Sequence, residues 1–187
     1  MNRTVVNRGA LFYLLPFLLF FAALLQSTLT TRLRILGVKP ELVLILVVMG
    51  SMVYGAKMGL VWALLGGIFV DLFSGGPMGS TSLALIGAAL IASLGYTVLS
   101  RFNLFVPIGL TIGATVAYSL IYMGVLGLLA LLSRVAILQQ YPIPRIELPL
   151  QLTLQSVVLP VTFYNSMIML LLAPLLNRLS DTVEVEL

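Results

Sequence analysis

The sequence predicts an all-α membrane protein, a bundle of six transmembrane helices that forms one integral membrane domain over residues 1–187. Of its 187 residues, 60% are apolar and 9% are charged, whereas soluble domains have about 45–50% apolar and about 25% charged residues. The apolar residues also fall into six runs separated by charge, glycine or proline. At about 20 residues per crossing, the chain has room for six spans and little else.

The first helix is predicted from an apolar run over residues 10–30 that follows Arg3 and Arg8. Basic residues before an apolar run are also typical of a cleaved signal peptide. This run is longer than a typical signal core, and another apolar run follows it in place of a soluble domain. We therefore expect a retained first helix.

The second and third helices are predicted over residues 41–54 and 57–73, which only a few residues separate. A single helix over both runs would be about 50 Å long, well beyond a hydrocarbon core of about 30 Å. The sequence therefore favours two helices with a break near Gly55.

The last three helices are predicted over residues 81–99, 104–132 and 152–176. A Ser-Gly-Gly-Pro-Met-Gly-Ser turn over residues 74–80 precedes the first of them, with Ser80 and Thr81 as candidate N-caps. Lys and Arg divide evenly between the two sides of this arrangement, so the positive-inside rule leaves the orientation open.

Three predicted helices carry small residues at every fourth position, which form ridges along one side of each helix. In lipid such ridges let helix backbones approach closely and gain van der Waals contact. We expect them to pack the bundle internally, and a partner-binding ridge is the alternative. The candidate packing or partner residues are Gly55, Gly59, Ala63, Gly67, Ala84, Ala88, Gly109 and Gly113.

Asp71 follows the first ridge and is the only carboxylate well inside a predicted span. Ionisable groups at such depth are rare unless they are paired or face a cavity. One interpretation is that Asp71 pins the turn over residues 74–79; the other is a partner contact or a proton relay. A relay needs further acids or histidines, and no other span supplies them.

The sixth predicted helix carries a stripe of amides and hydroxyls largely on one side. Interhelical hydrogen bonding is the favoured interpretation, and a ligand pocket or partner groove is the alternative. The stripe residues are Gln151, Gln155, Thr162 and Asn165.

Catalytic, cofactor and metal sites are not predicted. The chain has no Cys and no His, which removes thiolate nucleophiles, imidazole bases and the commonest metal ligands. Its basic residues lie at span ends, where they anchor at lipid head groups, so the net charge of +4 does not indicate nucleic-acid binding.

Several short motifs resemble those of the MreD family of rod shape-determining membrane proteins. They are Leu-Gln-Ser-Thr at 25–28, Gly-Val-Lys-Pro-Glu-Leu at 37–42, Gly-Ala-Lys-Met-Gly at 55–59, Gly-Gly-Ile-Phe-Val-Asp-Leu at 66–72 and Ser-Gly-Gly-Pro-Met-Gly at 74–79. Glu41 stands where the family more often has Asp, a departure that retains the charge.

The resemblance implies a non-enzymatic scaffold subunit of the bacterial elongation (rod) complex. Such a subunit binds the transmembrane helix of MreC and supports lateral peptidoglycan synthesis and cell shape, together with RodA and a penicillin-binding protein. It also implies a location in the bacterial inner membrane with both termini cytoplasmic. The fold of the family is similar to the substrate-binding subunits of ECF-type vitamin transporters, so a vitamin-binding subunit is the alternative function. Such a binder should gather aromatic and polar side chains around one pocket, and the only tryptophan, Trp62, lies in the first ridge helix.

Overall fold

The structure, a computed structural model, describes residues 8–32, 40–95, 105–132 and 154–184. Within these ranges the regular structure is entirely helical. The helices are α1 (Arg8–Arg32), α2 (Leu42–Ser74), α3 (Ser80–Ser93), α4 (Phe105–Leu132) and α5 (Leu159–Glu184), and a π-helical turn over Leu154–Val158 leads into α5.

Helix α2 is a hairpin of two arms that meet at Gly55. The backbone there has φ 77° and ψ −176°, a combination open almost only to glycine. Beyond it the second arm returns along the first: a Cβ added to Gly59 would lie 3.1 Å from Ser51 Cα, and one on Gly66 would lie 2.7 Å from Val43 Cγ1. The break that the sequence places near Gly55 is therefore present.

Three helical stretches among the described residues are long and apolar enough to cross a membrane: α2, α4 and Gln155–Pro174, which runs from the π-helical turn into α5. The remaining apolar helices are shorter, at Pro16–Thr28 and Ser80–Ser93. In α2 the length is shared between arms of about 20 Å and about 28 Å, and the first is short for a hydrocarbon core of about 30 Å. The six-span bundle thus stays a prediction, as does the likeness to ECF subunits.

The hairpin lies at the centre of the structure, with α1 packed on one part of it and α3 on another. Helix α4 packs on α3, and α5 packs on α4 and more lightly on α2. Accordingly, 67% of the residues in the apolar stretch of α2 are buried inside the protein, whereas only 11% are buried in the corresponding stretch of α4. The largest fully buried apolar side chains are Leu19, Leu44, Ile45, Met52, Leu85 and Met169.

Candidate functional site

Polar side chains cluster where the α2 hairpin begins and ends. Two consecutive residues of α1 form hydrogen bonds with the backbone at these two ends. The Gln26 Oε1 accepts a hydrogen bond of 3.1 Å from the backbone N–H of Val43, in the first turn of α2. The Ser27 hydroxyl donates to the carbonyl of Phe73, in the last turn, at 3.0 Å. The first N–H groups and last carbonyls of a helix have no partner within it, so α1 supplies one partner at each end.

Asn165 of α5 also forms a hydrogen bond at the start of the hairpin. Its Oδ1 accepts from the backbone N–H of Glu41 at 3.0 Å, and its Nδ2 donates to Thr115 Oγ1 of α4 at 3.3 Å. Asn165 and Thr115 are both fully buried. This one amide therefore ties three helices together.

Asp71 caps the start of α3 from the last turn of α2. Its Oδ2 accepts from the N–H of Gly79 at 2.7 Å and its Oδ1 from the N–H of Thr81 at 3.2 Å. A carboxylate is favoured there because a helix N-terminus carries partial positive charge. Of the two interpretations of Asp71, the described contacts are those of a residue that pins the 74–79 turn.

Two tyrosines of α4 complete the cluster. The Tyr118 hydroxyl is in hydrogen-bonding contact with the side chains of Glu41 and Thr81. The Tyr122 hydroxyl pairs with Ser80, which itself donates to the Pro77 carbonyl at 2.6 Å. The two rings stack with their centroids 6.0 Å apart.

We call this set the polar layer; it comprises Gln26, Ser27, Glu41, Asp71, Ser80, Thr81, Thr115, Tyr118, Tyr122 and Asn165. Across the part of the chain that the structure describes, no buried side-chain nitrogen or oxygen lacks a hydrogen-bond partner. A polar layer satisfied internally fixes the relative positions of the helices. Its groups are already engaged with the protein, in contrast to those of a pocket that awaits a ligand.

The ridge residues of α2 and α3 pack inside the protein. A side chain on Gly59 would collide with Ser51, and one on Gly67 with the backbone of Ser82. Ala63, Ala84 and Ala88 are fully buried. In the described structure these residues contact neighbouring helices of the same chain.

The ridge of α4 is different. A Cβ on Gly109 would meet no atom within 4 Å, and one on Gly113 would lie 3.5 Å from Ile91 Cγ2, an ordinary contact. Gly109 is exposed and Gly113 is half-buried. Here the expectation of close internal packing is wrong, because α4 turns its buried side, which includes Ala114 and Tyr118, toward the bundle.

The polar stripe predicted for the sixth helix does not stay together on one buried side. Asn165 is fully buried, Thr162 is half-buried and donates to the Val158 carbonyl at 2.7 Å, and Gln155 is exposed. Gln151 lies outside the described residues. The π-helical turn at Leu154–Val158 changes the helical period, which is why Gln155 falls out of register with Asn165.

The α4 side of the polar layer was not recognised in the sequence. The layer residues Thr115, Tyr118 and Tyr122, together with Thr111 one turn before them, are spaced at intervals of four, three and four residues, the spacing of one side of a helix. This spacing was the available signal in an otherwise apolar run.

A sequence model of the family described as rod shape-determining protein MreD matches residues 7–183. The chain belongs to the MreD family. No curated protein and no solved structure matches it in the corresponding comparisons. The match gives this MreD chain a role in rod shape, and with its apolar helices it is an integral membrane protein.

Four of the five short motifs that resemble MreD proteins coincide with the polar layer, and the fifth, at 55–59, begins at the Gly55 break. Residues 25–28 contain the pair that holds the hairpin, 37–42 contain Glu41, 66–72 contain Asp71, and 74–79 form the turn that Asp71 caps. In this MreD chain these four motifs therefore supply the contacts that join helix ends.

Proposed function

We propose that this MreD protein is a non-enzymatic scaffold subunit of the bacterial elongation complex, which binds the transmembrane helix of MreC and supports lateral peptidoglycan synthesis. RodA and a penicillin-binding protein are its further partners through the complex. The observation that supports this proposal is that the described buried polar side chains of the bundle all have hydrogen-bond partners within the protein. Such a bundle offers a fixed surface in place of reactive groups.

The surface that we assign to MreC is the outer side of α4 around Gly109 and Gly113. We place no partner surface at Ala84 or Ala88, because both residues are fully buried inside the protein. Gly109 has open space where a side chain would be, so another helix can approach the backbone closely. Close approach is the main source of helix association in lipid.

The proposed location is the inner membrane with both termini cytoplasmic. In that orientation the Gly55 end of the hairpin faces the cytoplasm and the polar layer lies toward the periplasm. The MreC helix on α4 then continues into its periplasmic part at a fixed place beside the bundle.

Co-purification with co-expressed MreC tests this function, and Gly109→Leu is the informative variant. Gly127→Leu is the matched control because its added side chain also meets open space, about 27 Å further along the same helix. We expect Gly109→Leu to reduce recovered MreC at least tenfold and Gly127→Leu to leave it unchanged. Equal recovery in both variants contradicts the assigned surface, and no recovery with the unmodified chain contradicts the function.

The vitamin-binding alternative has no support in the comparisons. It would be revived by saturable binding of a vitamin-like ligand at micromolar or lower concentration to the purified protein. Isothermal titration in detergent is the measurement.

A further inference from the structure

Helices α3 and α4 run antiparallel, and this pairing sets their relative heights. The start of α3 lies beside Tyr122, which pairs with Ser80, while Gly95, just beyond α3, lies against Leu110. From Tyr122, α4 continues to Leu132. Gly87 of α3 lies against Ile121, and together these contacts place the start of α3 level with about residue 125 of α4, so the helix continues about 10 Å past it.

The last turn of α2, the start of α3 and Ser27 of α1 lie at the same height as this part of α4. Asp71 and Gly79 are joined across the turn, Ser27 reaches the last turn of α2, and a Cβ on Gly76 would lie 3.7 Å from the Tyr122 hydroxyl. We call the turn over residues 74–80 the floor. Ser74 and Gly75 in it are exposed, and irregular backbone exposed in this way does not occur within the hydrocarbon region.

The second arm of α2 gives the distance from Gly55 to the floor. Residues 56–74 span about 28 Å, close to the thickness of a hydrocarbon core of about 30 Å. A bilayer that begins near Gly55 therefore ends near the floor.

Beyond the floor, α4 remains strongly apolar. Residues 123–132 consist of Met, Gly, Val, Leu and Ala, and none of them is buried. Leu128 and Leu131 are 56% and 62% exposed. We call this stretch the wall, and its apolar surface favours hydrocarbon over water.

A bilayer of uniform thickness cannot satisfy both features. If hydrocarbon ends at the floor, the wall stands in water; if it ends at the top of the wall, the floor is immersed in lipid tails. Tilting the protein reduces the height difference between the floor and the top of the wall but does not remove it. This difference is measured along an axis that α3 and α4 share. Bilayers adjust their thickness at modest cost, whereas exposed backbone in hydrocarbon is strongly disfavoured.

We propose that this protein locally thins the leaflet on the polar-layer side of the membrane: lipid tails reach the top of the wall beside α4 and stop at the floor beside the 74–80 turn. The lipid surface is thus a partner whose shape the protein alters. This inference rests on the heights of the described helices and concerns the protein without MreC bound to α4.

Spin-label depth measurement in liposomes of the purified protein tests the proposal. The chain has no native cysteine, so Met78→Cys reports the floor and Leu131→Cys the wall; the native side chains are 69% and 62% exposed. Leu64→Cys, at a site 48% exposed within the second arm of α2, calibrates the deep position. Oxygen and a water-soluble nickel chelate compete as relaxation agents, and their ratio gives the depth below the local lipid surface.

We expect the floor and wall labels to lie at the same shallow depth, within about 5 Å or one helical turn, and the Leu64 label to be deep. A larger difference overturns the proposal. If the wall label is in water, the bilayer is flat at floor height and the wall requires a protein cover; if the floor label is deep, the bilayer is flat at the top of the wall. Should Met78→Cys fold poorly, Leu72→Cys, at a 61% exposed site in the last turn of α2, gives the floor reading.

Discussion

The carboxylate of Asp71 accepts a 2.7 Å hydrogen bond from the backbone N–H of Gly79, eight residues further along the chain. The same carboxylate also binds the N–H of Thr81. One side chain at the end of α2 thus sets where α3 begins. An acid at this depth, which suggests chemistry in a membrane protein, here joins two helices.

Substitution of Asp71 should therefore lower stability in proportion to the hydrogen bonds lost. Asp71→Asn keeps one acceptor oxygen, and we expect a loss of about 1–2 kcal/mol. Asp71→Ala removes both acceptors and leaves two N–H groups unpaired, for about 3–5 kcal/mol. Unfolding by denaturant in detergent micelles measures both. Equal losses would show that the charge, and not the number of acceptors, is what matters.

Gly67→Leu should damage folding far more than Gly127→Leu. A side chain on Gly67 would collide with the backbone of Ser82, whereas one on Gly127 meets open space. Both substitutions exchange the same residue types within a helix, so differences in helix propensity cancel. Monodisperse yield after detergent purification is the measurement, and similar yields would contradict the close contact between α2 and α3.

Gly55→Ala should destabilise the hairpin through its backbone. At φ 77° and ψ −176° a Cβ atom costs about 1–3 kcal/mol in strain. Gly124→Ala is the control, because its new Cβ meets nothing within 4 Å and alanine favours helix by about 1 kcal/mol over glycine. Thermal unfolding should therefore shift in opposite directions for the two variants.

Six spans with both termini cytoplasmic predict that cysteines at Thr4 and Ser180 are labelled from the same side. A membrane-impermeant maleimide applied to intact spheroplasts should label neither variant, and permeabilised cells should show labelling of both. Labelling of Ser180→Cys alone in intact spheroplasts would mean an odd number of crossings.

The sequence predicted the helices well because lipid leaves a strong compositional signal. It also predicted the break at Gly55, since the two apolar runs together are too long for one span. The roles of Thr115 and Tyr118 were harder to predict. Each depends on which side of a helix faces which neighbour, and in a uniformly apolar helix such as α4 the sequence encodes little of that choice.

The outward position of Gly109 was missed for the same reason. Small residues indicate that a helix can pack closely against another helix. They do not show whether that other helix belongs to the same chain or to a partner protein. Gly67 and Gly109 belong to similar ridges, yet Gly67 lies against Ser82 and Gly109 meets open space. Only the three-dimensional arrangement separates them.

The two side chains that hold the start of α2 are made at very different times during synthesis. Gln26 lies 17 residues before Val43, whose N–H it binds, whereas Asn165 lies 124 residues after Glu41. When the hairpin enters the membrane, α1 is already available but α5 has not been translated. The N–H of Glu41 must therefore wait for this partner until α5 is inserted, so the insertion of α5 is also the step that locks the first turn of the central hairpin.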